Sequence, residues 1–180
     1  MSPNDYPDGV ETDEHDAGAA HFYAYDADNE LVGYVRLVRP DREQRFPFQK
    51  YCATSFDNPA LPLPGDAVEI SRLMLRRDYR RLRGSRRDGL LAGQKTAAFS
   101  GEKRQAASQV LMTLYQQMYA YSRANNISHW YAAMERPLAR SLVRLNVTFK
   151  PIGPQMDYYG PVVPYLANLK ELKAQTTQPE

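Results

Sequence analysis

The sequence has little of what secreted and membrane proteins usually carry. Cys52 is the single cysteine among 180 residues, so no disulfide can form within the chain, which suits a reducing compartment. No N-terminal apolar run resembles a signal peptide, and no stretch approaches the roughly 18 apolar residues of a membrane helix. We therefore expect a cytoplasmic protein without a transmembrane segment.

The chain also lacks internal repeats and a strong net charge. Its length suits one domain with one hydrophobic core, and hence one main site. The formal charge of +2 hides a local split, because six acids and no Lys or Arg lie between Asp5 and Asp16. Ten Lys or Arg and three acids lie between Arg76 and Arg104. The charge asymmetry is therefore local rather than global.

The most informative stretch is 66–75, with the sequence DAVEISRLML. Its apolar residues favour a central β-strand, in which Glu69, Ser71 and Arg72 stand as polar exceptions. With the two-residue period of a strand, Glu69 and Ser71 face one side of the sheet and Arg72 faces the other. Charges on both faces of a strand are costly unless they are paired. The stretch is therefore either an ion-paired or edge strand whose charges reach solvent, or a strand that carries a functional site.

The rest of the chain predicts an α/β fold with a mixed central sheet flanked by helices. We expect an acidic, extended or disordered lead-in at 1–19, a domain at 20–174 that contains a flexible loop at 84–103, and a polar tail at 175–180. The strands before and after the long helix should be parallel and should splay at the site end of the sheet. The predicted elements are a hairpin at 21–25 and 30–38, the central strand at 67–76, a helix at about 105–124, a strand at 127–134, a short helix at 135–146, a strand at 147–152, and a strand that runs into a helix over 158–172.

A basic turn at 76–87 follows the central strand. A strand, a Gly-containing basic turn and a helix make an anion site, since helix-start amides and arginines favour phosphate. We expect a cofactor phosphate here. The same arginines would also suit nucleic acid or an acidic protein. No aromatic RNA-binding motif accompanies them, so nucleic acid is not the expected partner.

Two isolated polar side chains have both structural and functional interpretations. Arg36 stands among apolar residues in the second hairpin strand, so it either reaches solvent or pairs with a carboxylate such as Asp13, Asp16 or Glu69. His129 is interpreted as a packed side chain rather than a ligand. No metal site is predicted.

Several motifs occur in an order that resembles a known family. They are EISR at 69–72, AAMERPL at 132–138, and FKPIGP at 149–154 followed by DYYG at 157–160 and PY at 164–165. Over about residues 9–172 the chain resembles the PEP-CTERM/exosortase system-associated acyltransferases, relatives of the N-acyl amino acid synthases and acyl-homoserine lactone synthases. The resemblance implies a GNAT-like fold, splayed at the acyl-donor site, that transfers a fatty acyl group from a thioester to an amine.

The resemblance also implies a role for individual residues. The amine must lose a proton before it attacks a thioester, and Glu69 is the implied base, directly or through a water. The implied catalytic residues are Glu69, Ser71 and Arg72, and the implied substrate-binding residues are Asp13, Asp16 and Arg36. The backbone amides near Leu73 and Leu75 are the implied oxyanion site. The implied donor-phosphate turn contains Arg81, Arg83, Gly84 and Ser85.

The implied donor is an acyl thioester of acyl carrier protein, carried on its 4'-phosphopantetheine arm, or of coenzyme A, with no permanently bound cofactor. Arg86 stands where the superfamily's phosphate turn usually has Gly or Ala, and its charge suits an acidic carrier protein. The implied partners are therefore acyl carrier protein and a small-molecule amine.

Two departures from the family pattern keep alternatives open. The family has a further helical segment ahead of the acidic motif, so we expect a missing upstream segment, and Asn146 stands where Gly is usual. The alternatives to an active enzyme are an inactive homologue that binds or regulates, and a basic-loop module that binds an acidic partner.

Overall fold

The computed structural model describes residues 12–50, 61–80, 95–158 and 160–176. Its strands are β1 (Ala20–Tyr25), β2 (Leu31–Val38), β3 (Ala67–Leu75), β4 (His129–Met134), β5 (Lys150–Pro151), β6 (Met156–Asp157) and β7 (Pro161–Asn168). Its helices are α1 (Arg77–Arg80), α2 (Lys95–Ala124), α3 (Arg136–Val143) and α4 (Leu169–Thr176), with short 3-10 turns at Asp16–Gly18, Pro47–Lys50 and Pro64–Asp66.

The strands form a mixed sheet in the order β1-β2-β3-β4-β7-β5, with β6 paired to β7. Strands β3 and β4 are parallel, and the other neighbours are antiparallel. A parallel pair needs a long crossover, which α2 provides. The predicted α/β class, the hairpin and the parallel pair are therefore confirmed.

Strands β3 and β4 pair over only part of their lengths. Their ladder begins at Ala67 and ends at the pair Glu69–Tyr131. Both strands continue, β3 to Leu75 and β4 to Met134, while each stays paired with its other neighbour. The sheet therefore parts beyond Glu69, which confirms the predicted splay.

Helix α2 covers one face of the sheet and forms the main core. Its buried apolar stripe is Val110, Leu111, Leu114, Tyr115 and Met118. The helix lies so close to β2 that a Cβ added to Gly33 would sit 2.7 Å from Val110 Cγ1. Glycine is therefore required there for close packing. Among the described helices, none is long and apolar enough to cross a membrane.

Helix α2 begins earlier than its apolar pattern indicates. The predicted start was near residue 105, with a flexible loop over 84–103, whereas the helix begins at Lys95. The loop prediction is therefore wrong for 95–103, and residues 84–94 lie outside the described chain. The first turns are rich in good helix formers such as Ala, Lys and Glu but lack an apolar stripe.

The C-terminal elements differ from prediction mainly in length. Strand β5 covers two residues instead of 147–152, β6 was not predicted, and α4 continues to Thr176, past the predicted start of the tail. Asn126 ends α2 at φ +57°, which confirms the predicted left-handed cap. Asn146 follows α3 at φ +58°. Asn tolerates this conformation better than most residues, so it can stand where the related family has Gly.

Candidate functional site

A β-bulge in β3 decides which way Arg72 points. The register with β2 shifts from the Arg36–Ser71 pair to the Tyr34–Met74 pair, so two residues of β3 oppose one of β2. Arg72 has φ +54°, a left-handed conformation that is rare outside Gly. The bulge turns Arg72 toward the sheet face that carries Ser71. The prediction that Arg72 faces the other side is therefore wrong, because strict alternation ends at the bulge.

Arg36 and Arg72 form an ion network with two carboxylates. Arg36 donates two hydrogen bonds of 2.8 Å to Asp13 and a further one to Asp16. Arg72 donates to Asp13 at 3.0 Å and to Asp16 at 3.2 Å. The Arg36 side chain is only 2% exposed. It therefore pairs with carboxylates rather than reaching solvent.

The acidic residues lie on an ordered turn that covers the outer face of β2 and β3, opposite α2. The Asp13 amide donates to Asp16 Oδ2 at 2.8 Å, and the His15 amide donates to Asp13 Oδ1 at 2.9 Å. The predicted extended or disordered lead-in is therefore wrong for residues 12–19, and residues 1–11 lie outside the described chain. Long-range pairing with Arg36 orders a segment that has little apolar content of its own.

The arginines keep both carboxylates ionised. The hydrogen bond from Arg36 lowers the pKa of Asp13 well below its usual range, against the opposing effect of burial. Burial alone would raise the pKa of Asp16, but the Asp13 amide and the two guanidiniums lower it overall. Two carboxylates and two guanidiniums therefore balance in charge at neutral pH.

His21 and Tyr34 support the acidic turn and were not singled out from the sequence. His21 Nε2 donates to the Asp16 carbonyl oxygen at 3.0 Å, because a carbonyl oxygen only accepts. Its Nδ1 lies 2.8 Å from the Tyr34 hydroxyl, and the two rings stack. His21 lies directly opposite Arg36 in the β1–β2 register. The pairing of the two strands in the predicted hairpin is therefore the sequence signal that could identify His21.

Glu69 is buried at the last β3–β4 pair, where the sheet begins to part. It is 3% exposed, and the Phe48 amide donates to its Oε2 at 3.1 Å. Its partner on β4 is Tyr131, whose ring packs against the rings of Phe46 and Phe48. Burial raises the pKa of Glu69 to about 8, against the lowering effects of the Phe48 amide and the Arg36 charge. Glu69 can therefore exchange a proton just above neutral pH.

The other predicted site residues fall into three groups. Ser71 Oγ accepts a long hydrogen bond of 3.4 Å from Arg36, so it borders the ion network. Leu73 and Leu75 lie on the part of β3 beyond its last pair with β4. The predicted donor-phosphate residues lie outside the described chain, and they are Arg81, Arg83, Gly84 and Ser85. Among the residues that the structure describes, no group of three or more His, Cys, Asp or Glu could hold a metal ion.

The sequence of the N-terminal half matches a known domain family. Residues 1–87 match the family model of the acetyltransferase (GNAT) domain. This match includes the acidic turn, the hairpin and the whole of β3. No curated protein matches the chain.

The fold is similar to several solved structures. TofI, in a ternary complex with an inhibitor and MTA, has a TM-score of 0.64 at 14% identity, covering 95% of this chain and 77% of TofI. BjaI, a CoA-dependent acyl-homoserine lactone synthase solved with SAM and isopentyl-CoA, has a TM-score of 0.63 at 16% identity. The alignment covers 94% of this chain and 68% of BjaI. FeeM, an N-acyl amino acid synthase from uncultured soil microbes, has a TM-score of 0.53 at 15% identity. The alignment covers 87% of this chain and 76% of FeeM. At these identities the similarity shows the fold. The chain thus has a GNAT-like fold, and the match of residues 1–87 to the GNAT acetyltransferase domain supports an acyltransferase.

Proposed function

We propose that the protein is an N-acyltransferase that moves a fatty acyl group from a thioester of acyl carrier protein or coenzyme A to the amine of an amino acid or related small molecule. The observation that carries the proposal is the position of Glu69, a buried carboxyl with a raised pKa beside the opening between β3 and β4. The association with PEP-CTERM/exosortase systems that the motifs imply belongs to the same proposal.

Glu69 is the proposed base for the acceptor. An amine is protonated at neutral pH and must lose a proton before its lone pair attacks. A carboxyl with a pKa of about 8 is well matched to take that proton, directly or through a water. The amine nitrogen then bonds to the thioester carbonyl carbon, the carbon–sulfur bond breaks, and the leaving thiolate takes up the second proton that the nitrogen loses as the amide forms.

The ion network is the proposed acceptor side of the site. Asp13 and Asp16 are ionised and partly exposed, so the ammonium of an incoming amine could reach their negative charge from the solvent side. Arg36 and Arg72 hold both carboxylates in place against the sheet. A rigid anchor of this kind would orient the amine before it transfers its proton.

The donor side is proposed along the opening between the strands. Leu73 and Leu75 lie on β3 beyond its last pair with β4. Backbone amides near them would stabilise the oxyanion of the tetrahedral intermediate. The basic turn with Arg81, Arg83, Gly84 and Ser85 would hold the donor phosphate. The structure of BjaI with isopentyl-CoA supports a CoA-type donor in this fold. The basic charge of the turn equally suits an acidic carrier protein.

Mass spectrometry of reaction products tests the proposal. The purified chain is incubated with acyl carrier protein or coenzyme A thioesters of C8 to C16 acyl groups and a pool of amino acids and amines. A new N-acyl product that is lost in Glu69→Gln supports the proposal and names donor and acceptor. Glu30→Gln makes the same chemical change at an exposed position and should keep the product. Absence of product with every donor, or full turnover in Glu69→Gln, would contradict the assignment.

A further inference from the structure

A groove lies between helix α3 and strands β5 and β7, and it shares no residue with the Glu69 site. Its volume is about 460 Å³, within the usual range for small-molecule sites. The floor is apolar and is formed by the buried side chains of Ala139, Phe149, Val163 and Tyr165. Val143 lies at the rim with 51% of its surface exposed. The groove therefore offers an apolar bed that is open to solvent.

Two arginines line this groove from the same side of α3. Arg136 and Arg140 are one helical turn apart, so their side chains are neighbours on one helix face. Both are exposed, and neither forms an ion pair or hydrogen bond with a residue that the structure describes. By contrast, the nearby Lys150 pairs with Glu171 at 2.8 Å, and Arg144 donates to Ser141 Oγ at 3.0 Å.

Free guanidiniums above an apolar floor define a ligand with two parts. Guanidinium groups bind carboxylate and phosphate through paired hydrogen bonds, and two of them one turn apart can hold a single anionic head. The floor would remove the hydrocarbon part of the same ligand from water. An uncharged hydrocarbon chain would gain only from burial on the apolar floor. A small anion would gain only the hydrogen bonds from the guanidiniums.

We propose that this groove binds a free single-chain amphiphile whose head is a carboxylate or a phosphate. The head contacts Arg136 and Arg140, and the chain lies over Phe149, Val163 and Tyr165. The groove lining contains none of the residues of the Glu69 site, so the proposal concerns a second binding site. The inference goes beyond the proposed function and does not depend on it.

Titration calorimetry with the full chain and no acyl donor tests the site. The ligands are decanoate and decyl phosphate below their critical micelle concentrations, 1-decanol below its solubility limit, and acetate. We expect at least one of the two anionic amphiphiles to bind at least tenfold more tightly than 1-decanol, and acetate to bind more weakly still. The stronger of decanoate and decyl phosphate identifies the head group.

Variants of the arginines complete the test. Arg136→Gln with Arg140→Gln should raise the dissociation constant at least tenfold, whereas the control Arg144→Gln, directly after the same helix and outside the groove lining, should leave it unchanged. No binding of either anion, equal binding of 1-decanol, or unchanged binding in the double variant would overturn the proposal. Since no turnover is measured, these outcomes are distinct from failure of the proposed acyl transfer.

Discussion

Arg36 on β2 and Arg72 on β3 bind the same two carboxylates, those of Asp13 and Asp16. The two arginine side chains lie on the same face of the sheet only because of the bulge in β3. Arg36 forms a two-bonded contact with Asp13, and Arg72 bonds to both Asp13 and Asp16. The network therefore ties the acidic turn to two strands at once. Its geometry depends on a positive φ that only Gly adopts without strain.

Comparison of Arg72→Ala with Arg72→Gly tests the bulge. Both variants remove the ion pairs, so both should be less stable than the wild type and should lower acyl transfer at least tenfold. The glycine variant should be about 1 kcal/mol more stable than the alanine variant, because Gly tolerates φ +54°. Urea unfolding measures the difference. Equal stabilities would mean that residue 72 is not held in the left-handed conformation.

The dependence of acyl transfer on pH should follow the ionisation of Glu69. Only the ionised carboxylate can accept a proton, so kcat should rise with pH and level off above about 8. A steady-state profile from pH 5.5 to 9.5 measures this, with buffers of constant ionic strength. A flat profile over this range would remove Glu69 from the role of base.

The free energy of unfolding should fall with pH because of the same group. Below pH 4.5 Glu69 is protonated in both states, and between 4.5 and about 8 the unfolded state ionises while the folded state keeps its proton. The loss is at most about 1.4 kcal/mol for each pH unit. Glu69→Gln should therefore gain stability relative to the wild type across this interval. Glu30→Gln, the same chemical change at an exposed position, is the control in the same urea titrations.

His21 should act as a positioning residue for the acidic turn. His21→Ala removes the donor to the Asp16 carbonyl and the contact with the Tyr34 hydroxyl. We expect KM for the amine to rise severalfold with a smaller change in kcat, because the turn would be held less firmly. Tyr34→Phe, which keeps the ring contact, should have a weaker effect. Equal loss of kcat and no change in KM would point to a role in chemistry instead.

The contact between β2 and α2 predicts a packing defect in Gly33→Ala. The added Cβ would lie 2.7 Å from Val110 Cγ1, so the variant should lose about 1–3 kcal/mol of stability. The second change Val110→Ala should recover part of this loss in the double variant. Gly65→Ala is the matched control, because a Cβ there meets nothing within 4 Å. Thermal and urea unfolding of the four proteins would show the pattern.

The sequence by itself determined the elements whose signals are local. The hairpin, the central strand, the apolar stripe of α2 and the cap at Asn126 follow from side-chain period, β-propensity and turn chemistry. These features need only neighbouring residues, so they can be predicted without knowing the fold.

Only the tertiary structure decided how the site is assembled. Asp13 and Arg36 are 23 residues apart, and Arg72 and Asp16 are 56 residues apart, so their pairing depends on the sheet register. The side to which Arg72 points depends on a bulge that breaks the two-residue period. The pKa of Glu69 depends on its burial beneath the Phe48 segment. Desolvation and ion pairing act through space, and a pattern read along the chain does not contain those distances.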